Sequence, residues 1–73
     1  MTEKYQTIDY LLKSMTELLM KTYEVSFDWA LETFLKSETY KRLLNDEELR
    51  NEGDLFIFEL LQKELTKKGI FTN

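Results

Sequence analysis

Acidic side chains dominate residues 45–54, "NDEELRNEGD", and clustered carboxylates are the ligands that calcium prefers in proteins. The calcium loop of an EF-hand needs a glycine at its sixth position, which Gly53 could supply, and a glutamate at its twelfth, which is Glu59. The same alignment places Arg50 where an oxygen ligand is required and replaces the usual first Asp with Glu48. We therefore predict a solvated acidic loop here and no metal site.

Other catalytic chemistries lack the residues they need. The chain has no His and no Cys, which removes the usual general base near neutral pH, the thiolate nucleophile and the common zinc ligands. A glycine-rich phosphate loop is also missing. Carboxylates could still form an acid and base pair, but that pair needs a pocket that shifts a pKa, and short helices offer little concavity. We predict that the protein is not an enzyme, with no cofactor and no small-molecule substrate.

Length and charge narrow the class of protein further. With 73 residues there is room for one domain, 1–73, near the lower limit for a stable core, so stability must come from aromatic packing or from association with another chain. The net charge of -4 disfavours binding to nucleic acid. No apolar run suits a signal peptide or a membrane span, so we expect a cytoplasmic protein with no membrane contact.

The elements that would position any site are predicted to be helices, because the chain has no proline and only two glycines. Apolar residues at spacings of three and four predict an amphipathic helix over 2–23. Ser26 is a suitable N-cap for a second helix over 27–36, and Ser37 for a short third helix. The apolar stripe falls out of phase after the second helix, which favours a kink near Ser37 over one continuous rod.

The last helix, over roughly 54–68, is the most apolar element of the chain. Its apolar residues cover more than a single stripe, which is typical of a central helix covered on more than one side. Gly69 is placed as a left-handed cap, and Ile70 follows it as in a Schellman motif. We therefore predict an all-α fold, a small bundle of four helices with the third short, the last helix central and the first packed along it.

The only tryptophan, Trp29, projects from the second helix on the side opposite the apolar stripe, whose members are Phe27, Ala30, Leu31, Phe34 and Leu35. Internal packing under Phe56 and Leu60 of the last helix is the favoured interpretation. The ring could also lie over its own helix beside Lys36, or be exposed for a partner, as is typical of interface hot spots. For the exposed case, the candidate partner-binding residues are Trp29, Lys36 and Tyr40.

A helix-turn-helix in residues 27–45 is an alternative from another class. Thr39, Lys41 and Arg42 could be presented to DNA from the second helix of the pair. No glycine lies in the turn, and acidic residues balance the cations of the same span, so the expected basic surface is missing. A DNA-binding or antitoxin-type regulator is therefore retained as the alternative function.

The segments "SFDWALETFLKSETYKRLLNDEEL" and "LFIFELLQKEL" resemble a group of small, all-helical bacterial proteins known as domains of unknown function. The shared pattern lies within residues 26–65 and includes Ala30, Leu31, Ser37, Thr39, Tyr40, Leu43, Asp46, Glu64 and Leu65. This chain departs from the pattern after Leu49, and its N-terminal helix lies outside the resemblance. Similar proteins are encoded in gene clusters that resemble toxin and antitoxin modules.

The resemblance implies an accessory or interaction role. We therefore predict a non-enzymatic protein-protein interaction module in a bacterial cytoplasm, which binds a protein partner or associates with itself.

Overall fold

The structure is a computed structural model that describes residues 7–70. Its helices are α1 (Ile8–Tyr23), α2 (Phe27–Leu35), α3 (Glu38–Asn45), α4 (Glu47–Arg50) and α5 (Asp54–Lys67). All regular structure in this part of the chain is helical, so the predicted all-α fold of a small bundle is confirmed. None of the helices within residues 7–70 is both long enough and apolar enough to cross a membrane.

Side-chain caps set the helix starts. The hydroxyl of Ser26 accepts a hydrogen bond from the Trp29 N–H at 3.1 Å, and that of Ser37 accepts one from the Tyr40 N–H at 3.0 Å. Both predicted N-caps are therefore confirmed, and the break at Ser37 makes α2 and α3 separate helices. The first helix begins later than predicted because Thr7 is extended and caps α1. The predicted helical residues 2–6 lie outside the described residues.

The acidic segment is not the open loop that the sequence predicts. The carboxylate of Asp46 accepts a hydrogen bond from the Leu49 N–H at 3.1 Å and so caps the single turn of α4. Leu49 is buried in the core, and Arg50 donates to the carbonyl of Leu43 at the end of α3. The prediction of a loop was wrong for residues 47–50, because one buried leucine and one cap stabilise a helical turn that composition alone does not indicate. The acidic side chains of Asp46, Glu47, Glu48 and Glu52 are exposed, as predicted.

A Schellman motif ends α5, as predicted. The N–H of Ile70 donates to the carbonyl of Leu65, and that of Gly69 donates to the carbonyl of Thr66, each at 3.0 Å. Gly69 has a φ of 78°, a left-handed conformation that glycine adopts without steric cost. The end of the helix is therefore fixed by local chemistry.

The core takes one face from every helix. The fully or almost fully buried apolar residues are Leu11, Met15, Leu19, Ala30, Phe34, Leu43, Leu49, Ile57, Phe58, Leu61 and Leu65. The first helix packs on α2 and on α5, while α3 packs on α2, α4 and α5. The last helix contacts both α1 and α3, as expected of a central helix, but its apolar surface is not fully covered, since Leu55 is 73% exposed and Phe56 is also exposed. Because α2 packs mainly on α1, the far face of α5 stays open in the described part of the chain.

Candidate interaction surface

The three predicted partner-binding residues lie in two different environments. Trp29 lies on α2 and Lys36 is the residue that ends it, seven residues later, so both fall on one side of that helix and both are exposed. Tyr40 is half-buried on α3, and its ring meets that of Phe34 edge to face with centroids 5.2 Å apart. Tyr40 therefore contributes to internal packing, whereas Trp29 and Lys36 face outwards.

The predicted burial of Trp29 under Phe56 and Leu60 was wrong. Trp29 keeps 36% of its surface exposed, and Phe56 is exposed as well. Both observations follow from the packing order, because α2 lies mainly against α1 and is not a main neighbour of α5. The Trp29 ring is partly covered, and its backbone N–H is held by the Ser26 cap.

Another apolar surface lies on the other side of α2, in an open groove of about 520 Å³ between α1 and α2. Leu12 and Met20 line it from α1, and Phe27 and Leu31 line it from α2. Phe27 is 55% exposed, although it belongs to the stripe that was expected to be buried. We call this surface the α1–α2 groove.

The floor and the rim of the α1–α2 groove differ in polarity. Thr16 lies in the groove wall and is buried, and its hydroxyl donates to the carbonyl of Leu12 at 2.6 Å, so its hydrogen bond is made within α1. Asp9, Lys13 and Glu17 follow one another at four-residue spacing along the α1 side. The groove therefore has an apolar interior and a rim of alternating charge.

Sequence reasoning missed this groove because it treated the whole stripe of α2 as core. Only Ala30 and Phe34 are fully buried, whereas Phe27 and Leu35 remain exposed at either end of the helix. Two helices touch along a narrow line of side chains, and a stripe wider than that line leaves apolar surface open. The excess width of the stripe was the signal that could have revealed the groove.

A polar cluster around Glu64 joins α5 to the start of α3. One carboxylate oxygen accepts from the backbone N–H and the hydroxyl of Thr39, at 2.9 and 2.8 Å, and the other accepts from the N–H of Glu38 at 2.7 Å. Lys68 forms an ion pair with Glu64 at 2.7 Å. Because Glu64 lies at the N-terminus of α3, its negative charge also interacts favourably with the dipole of that helix.

The pKa of Glu64 reflects these contacts. Partial burial alone would raise the pKa, but the hydrogen bonds from Lys68, Glu38 and Thr39 outweigh it and lower the pKa from 4.5 to about 2. Glu64 is therefore ionised at neutral pH, and the donors that surround it belong to this same chain.

A second cluster joins α1 to the first turn of α5. One oxygen of Asp54 accepts hydrogen bonds from the hydroxyls of Tyr10 and Ser14, at 2.7 and 2.6 Å. The hydrogen bond to Asp54, and then the negative charge of that carboxylate, raise the pKa of Tyr10. Both acidic clusters therefore hold helices together. No group of three or more acidic side chains within residues 7–70 is arranged to hold a metal ion.

Only some of the residues that the helix-turn-helix alternative would present to DNA are accessible and unpaired within residues 7–70. Thr39 is 4% exposed and is bound to Glu64, so it cannot contact DNA, and Lys41 lies 3.4 Å from the carboxylate of Glu38. Arg42 is exposed, and it lines a groove of about 300 Å³ together with Lys63 and Lys67 of α5 and Lys68, which follows that helix. The basic surface that the 27–45 span lacks is therefore supplied in part by the last helix.

No protein-family model, curated protein or solved structure matches this chain. The resemblance to small bacterial helical proteins consequently stays a prediction. Several residues of its pattern have structural roles: Ser37 and Asp46 cap α3 and α4, Thr39 binds Glu64, and Leu43 is buried. These members of the pattern thus help to hold α3, α4 and α5 together, whereas Leu31, another member, lines the α1–α2 groove.

Proposed function

We propose that this protein is a non-enzymatic protein-protein interaction module and that it binds its partner through the α1–α2 groove. The observation that carries the proposal is the exposure of Phe27 beside Leu12, Met20 and Leu31 in one apolar depression. Contiguous apolar surface of this kind is typical of interaction sites, because leaving it in water has a free-energy cost. The bacterial cytoplasm remains part of this proposal.

Burial of the apolar groove by a protein partner is expected to be energetically favourable. Full burial of a Phe or Leu side chain contributes about 1.5 to 3 kcal/mol, so covering the exposed half of Phe27 contributes about 1 kcal/mol. Leu12, Met20 and Leu31 are each half-buried and add smaller increments. The alternating charges of Asp9, Lys13 and Glu17 supply a polar rim, as protein interfaces commonly have.

The surface around Trp29 and Lys36 is a second site of the same proposal. Tryptophan is enriched at interface hot spots, and Lys36 lies two turns further along the same side of α2. Tyr40, the third predicted residue, is engaged with Phe34 and is half-buried, so it adds little to this surface. We therefore rank it below the α1–α2 groove.

Photo-crosslinking in the cells that make the protein tests the proposal. A photoreactive phenylalanine analogue is introduced at Phe27 in the groove, at Trp29 on the opposite side, or at Leu44 on α3 as the control. Leu44 is 49% exposed and so matches Phe27 in accessibility. We expect a protein adduct at Phe27 that is several times stronger than at Leu44. Equal yields at the two positions would contradict the proposed function.

A DNA-binding regulator is the second candidate, and the cations around Arg42 favour it. Lys63 and Lys67 of α5 lie beside Arg42, although Glu38 and Glu64 line the same depression. Salt-dependent retention on duplex DNA that is lost in Arg42→Ala with Lys63→Ala would support this candidate. Retention that is absent at low salt would exclude it.

A further inference from the structure

We propose that the occupant of the α1–α2 groove is a second copy of this chain, related by a two-fold axis that passes close to Thr16 and Leu31. This inference rests on the proposed function, because it names the partner of the same groove. A two-fold interface requires one surface that is complementary to itself. When a helix packs against its own copy, a residue on one side of the axis faces the residue at the same distance on the other side. Two independent features of the groove meet that requirement.

The first feature is the spacing of the apolar residues. Thr16 and Leu31 both line the groove, and the three-residue connection between α1 and α2 makes these two helices antiparallel neighbours. Leu12 and Met20 each lie four residues from Thr16, so Leu12 of one copy would face Met20 of the other. On α2, Phe27 in the groove and Leu35, an exposed leucine beyond the groove lining, each lie four residues from Leu31.

The second feature is the order of the charges along the rim. Asp9, Lys13 and Glu17 line the groove, and Lys21 continues the row one turn further, beside a neighbouring depression between α1 and α5. These four residues alternate in sign at four-residue spacing. When two such rows run antiparallel about a point near residue 15, Lys13 faces Glu17 of the second copy and Asp9 faces Lys21. All four facing pairs are then of opposite charge, whereas a parallel arrangement in register would place like charges together.

These four side chains are also available for pairing. The ion pairs within 4.0 Å in residues 7–70 are Glu38 with Lys41, Glu47 with Arg50, and Glu64 with Lys68. Asp9, Lys13, Glu17 and Lys21 take part in none of them. The row that would specify the dimer is thus left unused inside the described part of the chain.

A pair of charge-reversal variants tests the two-fold arrangement. The two-fold axis makes the contact between residues 13 and 17 occur twice in each dimer. In a dimer of Lys13→Glu, both of these contacts pair two carboxylates and become repulsive. In a dimer of Glu17→Lys, both contacts become repulsive between cations. In a mixed dimer of the two variants, each facing pair is again of opposite charge.

We expect sedimentation velocity over a concentration series to show that the wild-type chain dimerises. Each single variant is expected to weaken dimerisation about tenfold or more. An equimolar mixture of the two variants is expected to recover wild-type dimerisation, as is the double variant Lys13→Glu with Glu17→Lys. Circular dichroism verifies that each variant keeps its helical content.

The apolar interior has its own matched control. Phe27→Gln is expected to weaken dimerisation about tenfold or more, whereas Leu44→Gln removes a leucine of similar exposure from α3 and is expected to leave it unchanged. Both side chains are largely outside the core, so both variants are expected to fold.

A wild-type chain that stays monomeric throughout the series would overturn the inference, and so would a mixture that sediments like the separate variants. The proposed function has a separate readout. Crosslinks from position 27 to other proteins only would retain the interaction module and reject the second copy, whereas no excess over position 44 would reject the module itself.

Discussion

The cluster around Glu64 and the α1–α2 groove are built in opposite ways. Glu64 is a charged side chain whose four neighbouring donor groups all come from this chain. The groove is lined by apolar side chains, among them Phe27, that this chain leaves partly uncovered. The hydrogen-bonding groups of the first region are satisfied within the chain, whereas the apolar side chains of the second region stay partly exposed to solvent.

This difference separates fold from function. A carboxylate that is saturated by its own chain has little capacity left for a ligand, so we assign the Glu64 cluster to stability. An open apolar groove contributes little to the stability of a small domain, and its exposure has a cost that association would offset. The comparison therefore predicts that changes at Glu64 act on unfolding and that changes in the groove act on association.

The largest expected effect is that of Glu64→Gln. The amide keeps one acceptor oxygen for Thr39 but presents an N–H donor to the N–H of Glu38, and it loses the ion pair with Lys68. We expect the free energy of unfolding to fall by about 2 kcal/mol, as measured by urea denaturation. Glu59→Gln, an exposed change on the same helix, is the control and is expected to alter it by less than about 0.5 kcal/mol. Equal effects would remove the distinction between the two regions.

The acid response gives a second test of the Glu64 cluster. The pKa of Glu64 is lowered to about 2 in the folded protein, whereas the ordinary value is 4.5. The unfolded chain therefore takes up this proton at higher pH, so the contribution of Glu64 is complete above about pH 5 and is lost as the pH falls towards 2. We expect the unfolding free energy of Glu64→Gln to decline less steeply over this window than that of the wild type. Parallel declines would show that Glu64 is not the linked group.

The groove gives the converse prediction. Phe27→Gln is expected to lower the unfolding free energy of the monomer by less than about 1 kcal/mol, because half of the side chain is already exposed. Its effect on association appears in the melting temperature, which should begin to rise at about tenfold higher protein concentration for the variant than for the wild type. A melting temperature that rises equally with concentration for both proteins would show that Phe27 is not part of the interface.

Tyr10→Phe is expected to have the smallest effect. It removes the hydroxyl donor Tyr10 from Asp54 and leaves the bond from Ser14, the other hydroxyl donor within residues 7–70. Because Tyr10 is exposed, water can replace the lost bond, and we expect a loss of about 0.5 kcal/mol in urea denaturation. A loss as large as that of Glu64→Gln would place this cluster among the main stabilising contacts.

Local chemistry made much of the fold predictable. The Ser26 and Ser37 caps and the Gly69 motif are specified by residues within a few positions of each other, and all three are confirmed. The turn of α4 was missed because it depends on burial of Leu49 in the core, where α4 packs mainly on α3. Sequence patterns predict helix caps well, because caps depend on neighbouring residues. Whether a single helical turn such as α4 forms depends on its tertiary contacts.

The candidate surface was less predictable, for a related reason. Trp29 drew attention as the one aromatic residue off the stripe, but which part of the stripe itself stays open depends on how α2 lies on α1. Glu64 could not be recognised as a cap for α3, because its partners Glu38 and Thr39 are about 25 residues away in the sequence. Both features require knowledge of which helices are neighbours.

The most direct test of the central claim follows the backbone amide signals of nitrogen-15-labelled protein by NMR through a dilution series. The account predicts concentration-dependent shifts that are centred on Leu12, Met20, Phe27 and Leu31, with the amides of Glu38 and Thr39 unchanged. Spectra that do not change with concentration, or shifts centred on Trp29 or on α3 and α5, would contradict it.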